Sequence, residues 1–516
     1  MIIYYICTLV CAHVCYVRVC VRGTKGKMLE KLAKQTAIYG ISTILGRMLS
    51  YLLTPFYTRI FVAESYGIIT DVYALIPFAL VVLTMGMESS YFRFATKAEQ
   101  QGGDVAQSKR KLFATTWGIT SLAALLFFAV IAIFRNEASA LMGAAYVANP
   151  LYVVVVAAIV MMDVMACIPF ARLREQGKAL TFVLLKLLNI VLQVGFAFAF
   201  WGAGLFDSEF GVGWAFVANL VASVVTLVAV VVASGRVSLR MDWVLLGVIF
   251  AYSLPLLLSG IAGTANEFID RQLIKYLVPE GAMAQLGIYG AITKIAVVMT
   301  LFTQMYRLAA EPFFLSNFSK TEFKEMNAAA LKYFVMVSMF IFLGIALYRD
   351  LFALIVGSDF RGGIHILPVV LGANILSGVW LNLSFWYKRE ERTSLALWIT
   401  LTGLVCSVGF GALLIPQMGY YGAAWSRFAA EVVMVVVSIA LNRAYYPTPY
   451  QFGRMAEYIV LALAIFFLSE WLQVSNIALQ YTISTLFIVL YLCYAVWREK
   501  IDVVAMAKHF LRRGKR

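Results

Sequence analysis

Charged residues are scarce in this chain: they make up 13% of its 516 residues, against about 25% in soluble domains. Hydrophobic residues make up 62%, and the mean hydropathy is +0.85. These values exclude an ordinary soluble domain and predict a polytopic membrane protein. The net charge of +15 would otherwise suggest a nucleic-acid partner, but no soluble domain remains to present a basic face.

Motifs for nucleotide and metal chemistry are also missing from the sequence. It contains no G-x-x-x-x-G-K-[ST] loop for ATP phosphates and no H-E-x-x-H motif. Cys7, Cys11, Cys15 and His13 lie together near the N-terminus, but no second half of a zinc site follows them. We therefore expect no cofactor and no metal site, and any transport would be secondary.

Long apolar runs are what the sequence does have. Runs of about 18 or more apolar residues mark membrane-spanning helices. We predict an all-α polytopic protein with about fourteen spans, at 36–60, 66–94, 112–134, 149–171, 178–204, 211–234, 243–271, 284–307, 330–356, 364–387, 394–415, 420–443, 455–473 and 476–497. The longest outer loop, about 135–149, is too short for a catalytic domain, so no enzyme is expected.

Lysine and arginine are distributed unevenly between the predicted loops. With the N-terminus inside, and counting from Met28, the inner segments hold 28 of these residues and the outer loops hold 6. Cytoplasmic loops carry the excess of positive charge in membrane proteins. Both termini are therefore predicted to be cytoplasmic.

A faint internal repeat divides the spans. "RIFVAESYG" after the first span resembles "KYLVPEGAMAQLG" after the seventh, and "GVGWAFVANL" in the sixth resembles "GYYGAAWSRF" in the twelfth. Because six spans separate the copies, the two halves enter from the same side, as parallel repeats do in one class of transporter. The predicted parts are a non-native or disordered extension at 1–27, an N-lobe at 28–240, a C-lobe at 241–445, two extra helices at 446–497 and a basic cytoplasmic tail at 498–516.

Basic residues inside the predicted spans are candidates for binding an anion. They are Arg47, Lys186, Lys294 and Arg427. A charge at the bilayer centre costs about 2.5–3.5 kcal/mol even on lenient scales, so such residues usually face a bundle interior or a water-filled cavity. Each can alternatively be half of a structural ion pair, and Lys186 can extend to the membrane surface.

Acidic residues inside the spans are candidates for ion coupling. They are Asp163 and Glu431. Arg427 and Glu431 are four residues apart, which favours an intrahelical ion pair, while Asp163 needs a partner from another helix, such as Lys186. Nearer the membrane surfaces, gate residues are predicted at Glu88 and Arg93, which can pair, and at Glu267, Asp270 and Arg271.

Several stretches together resemble a known family. They include "YLLTPFYTRIFVAESYGIITDVYAL", "GMESSYFRF", "SLPLLLSGIAGTANEFIDRQLI", "GIYGAITKIAVVMTLFTQMYRLAAEPFF" and "SDFRGGIHILPVVLGANILSG". In order and spacing they resemble the polysaccharide flippases of the multidrug/oligosaccharidyl-lipid/polysaccharide exporter superfamily. The resemblance covers most of Met28 to about Arg443. It implies a V-shaped pair of helical bundles around a central cavity, working by alternating access.

The resemblance also implies a function. The expected activity is translocation of undecaprenyl-pyrophosphate-linked oligosaccharides across the bacterial inner membrane for polysaccharide, lipopolysaccharide or O-antigen synthesis, with proton or sodium coupling and a polymerase or ligase as possible partners. Arg47, Lys186, Lys294 and Arg427 would then contact the pyrophosphate or acidic sugars. The alternatives are a lipid II flippase, a cation-coupled multidrug exporter, and a non-transporting scaffold or membrane enzyme of a glycan assembly complex.

Overall fold

The computed structural model describes residues 51, 53–101, 104–235, 241–318, 322–392, 394–472 and 476–500. Within these ranges the chain forms helices and short connections, with no strand. Twelve helices are long and apolar enough to cross a membrane, or up to thirteen spans if one bent pair crosses as a unit. The predicted all-helical membrane fold is confirmed.

Some predictions fall on other parts of the chain. Arg47, the extension 1–27, most of the first predicted span and the tail beyond 500 lie outside the described residues. The count of fourteen spans and the division into two lobes therefore stay predictions.

The helices are numbered in chain order. They are α1 (Ala63–Thr84), α2 (Met87–Gln101), α3 (Val105–Ile133), α4 (Arg135–Met142), α5 (Ala144–Val147), α6 (Leu151–Glu175), α7 (Ala179–Gly202), α8 (Gly213–Ser234), α9 (Trp243–Leu277), α10 (Ala282–Ile295), α11 (Val297–Asn317), α12 (Phe323–Ala346), α13 (Arg349–Ala353), α14 (Leu367–Arg389), α15 (Ser394–Met418), α16 (Tyr420–Tyr445), α17 (Phe452–Leu472) and α18 (Ile477–Arg498), with 3₁₀ turns at Leu205–Asp207 and Ser358–Ile366.

Two predicted spans are interrupted. The span predicted at 66–94 breaks after α1, where Met85 and Gly86 adopt φ values of 51° and 69°, a left-handed conformation that ends helices. The span predicted at 284–307 bends by 49° between α10 and α11. The bend between α10 and α11 was missed because the hydrophobic run continues across it, and hydropathy does not report backbone direction. The break after α1 lies where the apolar run gives way to the more polar α2, whose first residues the predicted span included.

Helix packing divides the described chain into groups joined at a few places. On one side α6 packs with α3 and α8, and α8 packs with α7; on the other, α16 packs with α14 and α15, and α12 packs with α17. The main connection between these groups is α1, which packs lengthwise against α10 and also contacts α9. The large cavity described below lies where these joining helices diverge.

The last two helices are attached to the bundle by a buried ion pair. Lys332 of α12 donates to Glu499, just after α18, and the two side chains are 8% and 5% exposed. The same carboxylate accepts hydrogen bonds from the Tyr458 hydroxyl at 2.7 Å and from Arg454 at 3.3 Å. The anchor therefore joins α12, α17 and the end of α18.

Removing the anchor's charge is expected to destabilise the fold. Glu499→Gln leaves the ammonium of Lys332 buried without its counter-ion, which costs about 3–5 kcal/mol, so we expect a clear drop in Tm in detergent. Glu470→Gln is the matched control, because the Glu470–Arg349 pair at 2.9 Å is 40% and 19% exposed and such pairs contribute about 0–1 kcal/mol. Equal Tm values for the two variants would show that Lys332 needs no counter-ion.

Candidate functional site

A cavity of about 1090 Å³ lies between helices α1, α9, α10, α11, α14, α15 and α16. One end of the cavity lies next to the last turn of α10, at Thr293 and Lys294, and the cavity extends from there along α11 to Arg307 and Glu311. There Arg174 and Arg307 line it, with side chains 39% and 58% exposed. We call this exposed end the mouth, and the end where α9 ends and α10 begins the closed end.

Lys294 lies at the bend between α10 and α11 and lines the cavity. Its ammonium is 4.8 Å from the ring centroid of Tyr51. The backbone carbonyls of Ile292 and Lys294 both accept from the Ala296 N–H at this helix end, where a cation is favoured by the helix dipole. The bend therefore places a lysine at the cavity surface instead of in lipid.

Arg271 of α9 also faces the cavity. Its Nε is buried and has no hydrogen-bond partner, and no carboxylate lies within 4 Å of either Arg271 or Lys294 among the described residues. Sequence reasoning assigned Arg271 to a gate at the outer end of the seventh span. Because α9 continues to Leu277, Arg271 lies more than one turn inside the helix, and its role as a gate residue stays a prediction.

Arg427 lines the cavity but pairs differently from the prediction. Its Nη1 is 3.4 Å from Asp270 of α9, and Asp270 also accepts a 2.5 Å hydrogen bond from the Tyr289 hydroxyl. The predicted intrahelical pair with Glu431 does not form, because the carboxylate on the neighbouring helix is closer. Glu431 is 8% exposed, lines the same cavity, and its Oε2 has no partner.

Polar atoms without partners are concentrated at this cavity. Most buried polar atoms in proteins are hydrogen-bonded, yet Arg271 Nε, Thr303 Oγ1, Trp380 Nε1 and Glu431 Oε2 are buried, unpartnered and carried by residues that line it. These groups can bond a polar ligand or water that enters the cavity. The pattern is typical of a binding site and not of a structural void.

The mouth carries two charge clusters on different helices. Arg174 of α6 donates to Glu88 at 2.7 Å, while Glu311 of α11 accepts from Lys388 at 3.0 Å and from Arg307 at 3.3 Å. The predicted pairing of Glu88 with Arg93 was wrong: Arg93 instead stacks on the ring of Tyr252 at 4.0 Å. Glu267, another predicted gate residue, is exposed on the cavity wall.

Two predicted site residues lie elsewhere. Lys186 is exposed on α7, with its ammonium 4.3 Å from the ring centroid of Phe170. Asp163 of α6 has Ser223 of α8 as its hydrogen-bond partner and feels the charge of Lys186, but no ion pair within 4 Å joins them. Neither residue is among those lining the large cavity.

The closed end is sealed by backbone contacts at glycines. A Cβ placed on Gly67 of α1 would lie 1.9 Å from the carbonyl oxygen of Met283, and one on Gly287 of α10 would lie 2.0 Å from that of Ala63. Such approaches are possible only without a side chain. We call this contact, including Gly290 against Thr70, the glycine seam.

A buried charge cluster supports the seam. Asp71 of α1 accepts from Lys275 at 2.6 Å, Gln272 at 2.6 Å and Tyr146 at 2.7 Å. The side chains of Asp71 and Lys275 are 1% and 4% exposed. We call these four residues the Asp71 latch.

The latch was missed because Lys275 was assigned to an outer loop. The signal that could have found it is the apolar continuation of α9 beyond Arg271 ("RQLIKYLV"), which places Lys275 on the helix. The closing contacts therefore come from residues that appeared solvated in the sequence.

The fold and the cavity define a class: a multi-span helical membrane transporter with a central binding cavity. Residues 32–318, more than half of the chain, match the polysaccharide biosynthesis protein family. The chain belongs to that family, as the sequence resemblance predicted. No curated protein matches it in sequence.

Solved structures show the same fold at low identity. A lipid II flippase MurJ in an inward closed conformation has a TM-score of 0.71 and 12% identity, covering 90% of this chain and 100% of its own. An inward-facing multidrug resistance MATE family transporter of the MOP superfamily has a TM-score of 0.64 and 16% identity over 82% and 95%. A MOP superfamily transporter from Pyrococcus furiosus, described as having a binding pocket of reverse polarity, has a TM-score of 0.54 and 18% identity over 80% and 95%.

Proposed function

We propose that this protein is a flippase that carries polyprenyl-pyrophosphate-linked oligosaccharides from the cytoplasmic to the periplasmic face of the inner membrane by alternating access. The observation that supports this best is the pair Lys294 and Arg271, two cations that face one cavity and have no carboxylate within 4 Å in the part of the chain that the structure describes. Pyrophosphate offers the complementary charge, and lysine and arginine bind it as a point charge and a fork respectively. The polyprenyl tail would stay in the lipid.

The balance of charge in the cavity favours an anionic substrate. Five basic residues line it, namely Arg174, Arg271, Lys294, Arg307 and Arg427, against the three acidic residues Glu267, Glu311 and Glu431. Glu311 is already paired with Arg307 and Lys388. Arg174 and Arg427 are likewise paired, with Glu88 and Asp270. Among the described residues, this leaves Arg271 and Lys294 as the cations of the lining without an ion pair, and Glu267 and Glu431 as its carboxylates without one. The two cations lie beside each other at the junction with a second cavity, and this local positive charge supports an anionic substrate.

The lysine and arginine distribution sets the proposed direction. If both termini are cytoplasmic, the closed end faces the periplasm and the mouth faces the cytoplasm. The structure then corresponds to the state that loads substrate. Opening of the glycine seam would release the glycan where a polymerase or ligase receives it.

Ion coupling is proposed at Glu431. It lines the cavity with a buried, unpartnered oxygen, so it can take a proton or a sodium ion during the cycle. The same observation favours the second candidate function, a cation-coupled multidrug exporter, because a free carboxylate can also bind a cationic drug. Asp163 does not line the cavity, so binding of an ion there would affect transport only through a movement of α6.

Removal of either Lys294 or Arg271 is expected to slow flipping strongly. We expect Lys294→Ala and Arg271→Ala each to lower the transport of a lipid-pyrophosphate-linked oligosaccharide in proteoliposomes by at least tenfold, since a charge-assisted hydrogen bond contributes about 1.5–3 kcal/mol. Lipid II and a cationic dye, assayed in parallel, test the two alternative substrates.

Lys111→Ala is the matched control, because Lys111 is exposed at the start of α3 and away from the cavity. It should transport as the wild type does. Full activity of the two cavity variants at equal protein insertion would contradict an anionic substrate. Transport of the dye alone would establish the exporter.

A further inference from the structure

A second, smaller cavity of about 270 Å³ opens beside the first. Arg271 and Lys294 line both cavities and so lie at their junction. The volume far exceeds the ~10–15 Å³ that one water needs, and it is about a quarter of that of the main cavity. It suits one small polar group and not a whole oligosaccharide.

The walls of this small cavity are neutral and rich in hydroxyl and amide groups. Beyond the two cations at the junction, its polar lining residues are Thr54, Tyr57, Tyr66, Thr70, Tyr73, Gln193 and Asn219. Hydroxyl and amide groups both donate and accept hydrogen bonds, as the hydroxyls of a sugar do. A phosphate group accepts but has little to donate at neutral pH, and it would be held better by the cations at the junction.

One wall residue lacks the partner that its burial requires. Tyr57 is 2% exposed, and its hydroxyl is buried without a hydrogen-bond partner among the residues that the structure describes. Close by in the lining, Gln193 donates to the Tyr73 hydroxyl at 3.1 Å, so its carbonyl oxygen remains available to accept from a ligand. An unpartnered buried hydroxyl beside a polar cavity is the feature expected where a ligand completes the bonding.

We propose that the small cavity binds the first sugar of the substrate, the one attached directly to pyrophosphate, and selects its identity. This inference rests on the proposed function, because it places the pyrophosphate at Arg271 and Lys294. The glycosidic bond then directs the first sugar into the neutral cavity, while the remaining sugars occupy the large one. Pockets in which hydroxyls and amides bond a substrate hydroxyl discriminate strongly against analogues that lack it.

The test is a binding panel on the purified full-length protein in lipid nanodiscs. The ligands are undecaprenyl pyrophosphate without sugar and the same lipid carrying glucose, galactose, N-acetylglucosamine or N-acetylgalactosamine. We expect the wild type to prefer one sugar over the others by about tenfold or more. Tyr57→Phe and Gln193→Ala should reduce that preference to about threefold or less and leave the Kd for the sugar-free lipid unchanged.

Tyr152→Phe is the control, since this tyrosine donates to the Phe210 carbonyl at 3.1 Å and lines neither cavity. It should keep the wild-type preference. A wild type that binds all four sugars equally, or variants that weaken the sugar-free lipid as much as the preferred one, would overturn the assignment. If the wild type binds the sugars selectively but the variants keep its preference, selection lies elsewhere in the protein. Failure of the wild type to bind even the sugar-free lipid would overturn the proposed function itself, and this inference with it.

Discussion

Gly287→Ala is expected to stop transport while leaving the protein folded. The added methyl group would lie 2.0 Å from the Ala63 carbonyl oxygen, a clash with backbone that no rotamer change can relieve. The closed state is therefore penalised, whereas a state in which α1 and α10 separate is not. We expect at least a hundredfold loss of flipping, because alternating access needs both states, and an excess of molecules open at the seam.

Accessibility of the cavity from the closed end measures this shift. Thr293 lines the cavity, so Thr293→Cys in a background without native cysteines would react with a membrane-impermeant maleimide added at the predicted periplasmic face. Gly287→Ala should raise the labelling rate. Gly344→Ala is the control, because a Cβ at Gly344 meets nothing within 4 Å. If Gly287→Ala transports and labels as the wild type does, α1 and α10 can accommodate the methyl group in the closed state, and the prediction is wrong.

Asp71→Asn should open the same end by a different route. The substitution removes the counter-ion of Lys275, whose side chain is 4% exposed, and stranding a buried charge costs about 3–5 kcal/mol. Since Lys275 can reach water when the closed end opens, the cost falls mainly on the closed state. That corresponds to a shift of about 10²–10⁴ in the ratio of open to closed molecules, read by the same labelling assay.

A second substitution separates charge from packing. The double variant Asp71→Asn with Lys275→Gln leaves no charge at either position of this ion pair. Replacing a buried ion pair as a whole is far less costly than removing one partner. The double variant should therefore restore much of the wild-type labelling and flipping. The matched control is Asp359→Asn, an exposed carboxylate in the turn before α14. Equal defects in the single and double variants would mean that hydrogen-bond geometry, not charge, holds the latch.

The sequence predicted those features that depend on hydrophobic run length and local spacing. Helical spans and their order followed from the apolar stretches, and charges that interrupt these stretches predicted Lys294 and Arg427 at a cavity, which they line, but also Lys186, which does not line it. Ion pairs between residues distant in sequence were not predicted: Arg427 pairs with Asp270, and Glu88 pairs with Arg174. Spacing along one helix says nothing about which carboxylate on a neighbouring helix lies closer, so intrahelical partners were overvalued.

The closing surface was the least visible part of the molecule in the sequence. Gly67 and Gly287 were noted only as marks of an internal repeat, although each supplies a contact that excludes a side chain. The unpartnered hydroxyl of Tyr57 was not predicted either, because an aromatic residue in an apolar run suggests ordinary core packing. The glycine contacts join segments more than 200 residues apart in sequence. The Tyr57 hydroxyl is distinguished only by a missing hydrogen bond, which a sequence does not show.

Helix α10 carries both a sealing surface and a charge on one short rod. Gly287 and Gly290 contact α1, Lys294 lies in the last turn of α10, and the 49° bend follows this turn. These features lie on a single helix of fourteen residues. Because the glycines and Lys294 belong to one rigid helix, a tilt that separated the glycines from α1 would also displace the lysine. Under the proposed function, release of the anion and opening of the glycine seam would therefore be parts of one movement of α10.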